Sequence, residues 1–327
     1  QMFKAETPGP MKDSKMTPRI AETAKGLWLV YLGVSIACIV GYRWAGMTWF
    51  DAVCHGFSTM GLGGFSTHDA SFGYFDSPAI EFVAIVFMFI AGMNFGTLFL
   101  AVSGRSLRPY LHDPEAGWFV GICFISIFFV AIYIWKDGMY ADLDTAVRHT
   151  AFNLMSIATT TGFASVDFAQ WPIFAPLWML FLSSFATSAG STGGGIKMIR
   201  ALLLYKQVYR ELLRAMHPNA VYNIRIGGQV APQPILFAVL SFAFMYMVSI
   251  VSLTLILAFT GLDIVSAFTA IVASINNTGP GLGLVGPSTT YEILGDFQTW
   301  VCIFAMLLGR LEIFTLLVVL TPAFWRK

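Results

Sequence analysis

Three short turns in this chain carry glycine at one shared place: Gly61-Leu62-Gly63-Gly64-Phe65-Ser66, Thr159-Thr160-Thr161-Gly162-Phe163-Ala164 and Asn276-Asn277-Thr278-Gly279-Pro280-Gly281. Glycine accepts backbone torsions that other residues avoid, so such a turn can aim successive carbonyl oxygens to one side. Converging carbonyls suit a desolvated cation; potassium channels use four TVGYG loops whose carbonyls replace the ion's hydration shell. One such turn carries little weight, because apolar glycine turns are common, whereas three in register carry much more. The first turn admits two registers, since Thr59-Met60-Gly61-Leu62-Gly63 also mimics TVGYG. Gly64 is preferred as the equivalent glycine, because Gly64-Phe65 then matches Gly162-Phe163 and the distance from the preceding aspartate stays closer to that in the other copies. The candidate ion-binding residues are then Leu62, Gly63 and Gly64, Thr160, Thr161 and Gly162, and Asn277, Thr278 and Gly279.

Each turn needs an element to hold it. A short, half-apolar helix precedes each one, too short to cross a bilayer, which takes about 20 helical residues. Longer apolar runs flank each unit, giving an internal repeat of roughly a hundred residues. The first copy has a span near Ala24 to Ala45, a short helix from Thr48 and a second span near Pro78 to Val102. The second has Gly117 to Trp135, a helix from Asp144 and a span from Pro172. The third has Pro232 to Thr260, a helix from Asp263 and a span from about Gln298 to Leu320. An acid stands near each short-helix start, Asp51, Asp144 and Asp263, where it would cap amides and complement the dipole. The negative end of each dipole then points at the glycine turn.

The chain of 327 residues is 57% hydrophobic and 11% charged, against roughly 25% charged in an ordinary soluble domain. A water-soluble fold fits that composition poorly, and the lipid interior favours helices over strands. The expected fold is all-α integral membrane, with repeated span, re-entrant pore helix and filter loop, span units arranged around a central pore. The net charge of +1 suggests no nucleic acid partner. Cys38, Cys54, Cys123 and Cys302 show no close spacing and read as packed thiols. Gln1 to Lys25 is polar and basic, without a signal-peptide core, and reads as a chain entered partway. Fifteen of the 19 Lys and Arg residues lie before a first span or after a second one, which puts those ends in the cytoplasm and the glycine turns outside.

Four stretches carry a specific resemblance: Gly63-Gly64-Phe65-Ser66-Thr67-His68-Asp69, Thr159-Thr160-Thr161-Gly162-Phe163, Ala189-Gly190-Ser191-Thr192-Gly193-Gly194-Gly195-Ile196-Lys197 and His217-Pro218-Asn219-Ala220-Val221. They resemble the TrkH family, the membrane subunits of bacterial Trk potassium uptake systems in the Trk/Ktr/HKT superfamily, over essentially the whole chain. The resemblance implies four span, pore-helix, span repeats around one pore, of which the first is missing here. Residues 1–23 would be a cytoplasmic connecting segment, with 24–112, 113–231 and 232–327 the second, third and fourth repeats. It implies potassium as the transported ion with no organic cofactor, a homodimer, and a TrkA-like ring of cytosolic nucleotide-binding regulatory subunits, in a bacterial inner membrane. The basic stretch Lys197 to Arg225, with His217-Pro218-Asn219, would meet that ring or, alternatively, membrane lipid headgroups.

The second span of the middle copy is broken by a stretch rich in Gly, Ser and Thr, which lipid tolerates where backbone lines a cavity or lies in protein. By resemblance it is a gating loop under the filter: Thr187, Ser188, Ala189, Gly190, Ser191, Thr192, Gly193, Gly194, Gly195 and Lys197. From Gly190 the spacing is GxxxxGxK, one residue too long for a phosphate-binding loop. Arg310 lies in an apolar span, where a charge costs about 2.5 to 3.5 kcal/mol and marks a cavity or a partner. By resemblance it enters the pore below the filter and shapes the barrier; pairing with Glu312 is the other reading, although residues two apart on a helix share no face. His55 and His149 read as packing. No metal-site spacing and no nucleophile–base pair is present, so no enzyme is expected. A secondary transporter coupling potassium to sodium or protons is the alternative, but these copies run in one direction and such proteins usually use inverted repeats.

Overall fold

The computed structural model describes residues 20–325. Most of the 1–23 segment, with Lys4, Lys12, Lys15 and Arg19, and the terminal Arg326 and Lys327 lie outside the described residues. Among the described residues the regular elements are helices except for one two-stranded hairpin, so the expected all-helical architecture stands with that small addition.

The first copy contains α1 (Ile20–Trp44), α2 (Trp49–Gly61), α3 (Pro78–Gly92) and α4 (Phe95–Ser103), followed by a short α5 (Arg108–His112). The second contains α6 (Ala116–Lys136), α7 (Leu143–Ala158), α8 (Phe174–Ser183) and, past a loop, α9 (Met198–Met216). The hairpin β1 (Arg225–Ile226) and β2 (Gln229–Val230) leads to the third copy, α10 (Gln233–Phe259), α11 (Ile264–Ile275), α12 (Asp296–Arg310) and α13 (Ile313–Leu320), and a final turn α14 (Pro322–Trp325). Among the described residues Ala24–Trp44, Ala116–Lys136 and Gln233–Phe259 are single helices long and apolar enough to cross a membrane.

The second spans of the first and third copies are not the continuous helices expected from sequence. α3 and α4 meet at 99°, and α12 and α13 at 114°. Asn94 explains the first break: its Oδ1 accepts from Gly96 N at 2.7 Å and Thr97 N at 3.3 Å, capping a new helix inside an apolar run. Glu312 makes the second, adopting φ +57° between the two helices. With the loop between α8 and α9, all three second spans are interrupted.

The starts of α2, α7 and α11 also differ from expectation. Only Asp263 is a cap in the expected sense, accepting from Ser266 N at 3.0 Å. In the first copy Thr48 is the cap, accepting from Asp51 N at 3.1 Å and donating to Asp51 Oδ2 at 2.7 Å. Asp144 lies in the first turn of α7, behind Asp142 in the cap position.

The copies pack in sequence order. Phe119, Cys123, Phe152, Met155 and Phe163 of the second copy join the core of the first, and Leu282 of the third joins that of the second. Arg148 on α7 forks onto Glu81 on α3, with both N···O distances 2.8 Å, and reaches Asp76 at 3.0 Å. Glu81 is 2% exposed, so the pair is a buried, charge-assisted bolt between the two copies.

Candidate functional site

The three glycine turns share one backbone pattern. Leu62, Thr160 and Asn277 have φ of +50°, +61° and +55°, and Gly64, Gly162 and Gly279 have +69°, +94° and +102°. Each turn thus has left-handed residues at two positions separated by one. Alternating hands turns successive carbonyls to one side, where a regular strand would alternate them. The pattern fixes the register: Gly64, not Gly61, is the equivalent of Gly162 and Gly279. A non-glycine residue in this conformation costs about 1 to 2 kcal/mol, and strain of this kind concentrates at functional sites.

The helix ends impose the pattern. The amides of Gly63, Thr161 and Thr278 each donate five residues back, to Ser58, Ser156 and Ala273, at 2.8 Å in every copy. This is the closing bond of a helix with a left-handed end, and it starts each turn at the same height. Polar side chains hold the far ends of the first two turns. His55 Nε2 lies 2.9 Å from Ser66 Oγ, and Asn153 binds Ser165 through both its amide groups. His55 therefore does more than fill space.

The turns lean on one another in a fixed order. A Cβ on Gly64 would strike the Thr161 carbonyl oxygen, and one on Gly162 the Thr278 carbonyl oxygen, whereas one on Gly279 would meet nothing. The aromatic residues after the glycines repeat that order. Phe163 is buried against Phe72 of the first copy, with ring centroids 4.6 Å apart, while its counterpart Phe65 is 79% exposed. Three turns interlock, and the series is open at both ends.

Immediately beneath lies the loop 184–197, and it touches the end of α2 and the second and third turns. Thr192 Oγ1 donates to the Met60 carbonyl at 3.0 Å, and Gly194 N to Thr160 Oγ1 at 2.7 Å. A Cβ on Gly193 would lie 2.9 Å from the Thr159 carbonyl, and one on Gly194 would strike that of Asn276. Glycine is required at both places because backbone approaches backbone.

The loop is pinned at several points. Ala189 N donates to Glu115 Oε2 at 2.6 Å, Phe95 N to the Gly190 carbonyl at 3.1 Å and Ser188 N to the Gly92 carbonyl at 3.0 Å. Thr187 Oγ1 donates to the Gly194 carbonyl at 2.9 Å. Lys197 Nζ donates to the Gly193 carbonyl and to Ser191 Oγ. Arg310 Nη1 donates to the Thr192 carbonyl at 3.2 Å. Glu312 does not pair with Arg310; its Oε1 accepts from Arg200 Nη2 at 2.8 Å.

The predicted residues therefore converge: the turns form one layer, and the loop with Lys197 and Arg310 a second layer against it. Sequence reasoning missed Asn94, Glu115 and Tyr246, and placed Asn276 in the third turn without giving it a role. Tyr246 Oη donates to Asn276 Oδ1 at 2.7 Å, and Asn276 Nδ2 donates to Ser183 Oγ at 3.0 Å, joining the third turn to the loop's start. For Asn94 and Tyr246 the signal was a polar group inside an apolar run, which marks a partner or cavity; Glu115, in the polar connection before a span, gave none. Among the described residues no group of three His, Cys, Asp or Glu side chains is placed to hold a metal ion.

The chain matches the TrkH family, described as cation transport proteins, over residues 1–327. It belongs to that family. It is similar to the Trk system potassium uptake protein TrkH of Escherichia coli (strain K12), 48% identical over 328 residues, covering 100% of this chain and 67% of that protein. The Escherichia coli TrkG protein is 39% identical over 327 residues, with 67% of its length covered. The crystal structure of the potassium transporter TrkH from Vibrio parahaemolyticus superposes with a TM-score of 0.90 at 48% identity, covering 95% of this chain and 66% of that one. The chain thus spans about two thirds of the length of its TrkH relatives, and their fold is the one seen here.

Proposed function

We propose that this chain supplies three of the four filter turns of a channel-like pore that takes up potassium, with the loop 187–195 as its gate. The supporting observation is the interlock of the turns: left-handed backbone in one register, Gly64 and Gly162 each against the next copy's carbonyl, and a plug of glycines beneath. Carbonyls so arranged replace the water of a monovalent cation without any charged side chain. Transport is what the curated relatives are named for, rather than catalysis.

A further span, pore-helix, span unit closes the ring between Gly279 and Phe65. Leu62, Gly63, Gly64, Thr160, Thr161, Gly162, Asn277, Thr278 and Gly279 line the filter, and Arg310 sets a repulsive barrier below it. The protein lies in the bacterial inner membrane as a homodimer with its filter turns outward, and the segment Lys197 to Arg225 meets a nucleotide-binding regulatory ring.

Uptake into potassium-free proteoliposomes tests this reading on the full-length protein. Potassium entry with no requirement for sodium or a proton gradient, and with potassium preferred over sodium, supports it. Entry that stops when the second ion is removed overturns it.

A further inference from the structure

Arg200 stands in the first turn of α9, three residues after Lys197, and so moves with the exit of the loop. Its guanidinium donates to Glu312 Oε1 at 2.8 Å and lies 4.3 Å from the ring centroid of Phe242 on α10. Glu312 is the residue at which the third copy's second span turns, at φ +57°. Two residues earlier, Arg310 reaches the loop at the Thr192 carbonyl. One helix break therefore holds the loop at two places, through Arg310 on its middle and through Glu312 on the helix that follows it.

The grip has the strength of an adjustable contact. The Arg200 side chain is 14% exposed and that of Glu312 45%, so the pair is covered on one side only and is worth little more than a surface ion pair. The guanidinium also lies over the Phe242 ring, a contact that a lysine would not match. Moving the loop out from under the turns displaces Lys197 and with it Arg200, which breaks the ion pair and the ring contact together.

We propose that Arg200 and Glu312 form a latch that keeps the loop seated, so that they are positioning residues for the gate; this rests on the gating reading of the loop. Removing either charge favours the unseated loop and raises potassium flux, although neither residue belongs to the filter.

Flux through the full-length protein in proteoliposomes tests the latch. Glu312→Gln and Arg200→Gln are each expected to raise flux about 2-fold to 10-fold, the range of a partly exposed ion pair with an aromatic partner. The double reversal, Arg200→Glu with Glu312→Arg, is expected to return flux toward the parent value. In protein lacking Thr187 to Gly195 the same substitutions should change nothing, because no loop is left to hold. If deleting the loop leaves flux unaltered, the gating reading fails and the latch with it. If the deletion raises flux but the neutral substitutions do not, or reversal gives no recovery, the latch alone is overturned. Should Glu312→Gln not fold, Arg200→Lys is read by the same criterion, since it keeps the charge and loses the planar fork.

Discussion

The carbonyl oxygen of Thr278 occupies the space that a side-chain carbon on Gly162 would need. The second and third turns are thus spaced by backbone contact, and a side chain at Gly162 must push that carbonyl out of line. Gly162→Ser is expected to cut the preference for potassium over sodium by at least about tenfold, equivalent to about 1.4 kcal/mol. Competition between the two ions in vesicle uptake measures it. Gly64→Ser should act alike through the Thr161 carbonyl.

Arg148 and Glu81 join two copies across a buried seam. Arg148→Gln leaves the Glu81 carboxylate, 2% exposed, without its cation, which costs about 3 to 5 kcal/mol for a buried pair. A clear fall in the thermal unfolding midpoint is expected. Adding Glu81→Gln should recover much of the loss, since no unpaired charge then remains.

Hydrogen bonds from Thr48 and Thr67 hold the Asp51 carboxyl below the usual carboxylate range, with His68 and His55 assisting. A carboxylate with a depressed folded value stabilises fully above its unfolded value, about pH 4, and progressively less as pH falls through the folded one. Below about pH 4 the segment around Thr67 should therefore exchange its amide hydrogens faster. Asp51→Asn should remove that pH dependence.

Tyr246→Phe removes the donor to Asn276 Oδ1. An unsatisfied buried acceptor costs about 1 to 3 kcal/mol, and Asn276 also binds Ser183 at the loop's start. Faster amide exchange across Ser184 to Ile196, with α10 itself unaffected, is the expected result. Unchanged exchange would place the tyrosine outside the loop's support.

The repeat and its glycine turns were legible in the sequence because they rest on short-range rules: apolar length, glycine and a polar helix start. The register of the first turn was a choice between Gly61 and Gly64, and the left-handed torsions of Leu62 and Gly64 decide it. The bends at Asn94 and Glu312 were not read, because the apolar runs around them are long enough to span and contain no proline at the break. Asn94 followed by Gly96 was the missed signal, a cap residue inside an apparent span. The Arg200–Glu312 pair, 112 residues apart, leaves no local trace. Only the fold brings these two residues together.

Anomalous scattering from crystals of the full-length protein grown in rubidium tests most directly whether these carbonyls hold the ion. Rubidium peaks in line between the carbonyls of Leu62, Gly63, Thr160, Thr161, Asn277 and Thr278 are expected. Ordered turns with no peak between them, and rubidium bound elsewhere, would contradict the filter.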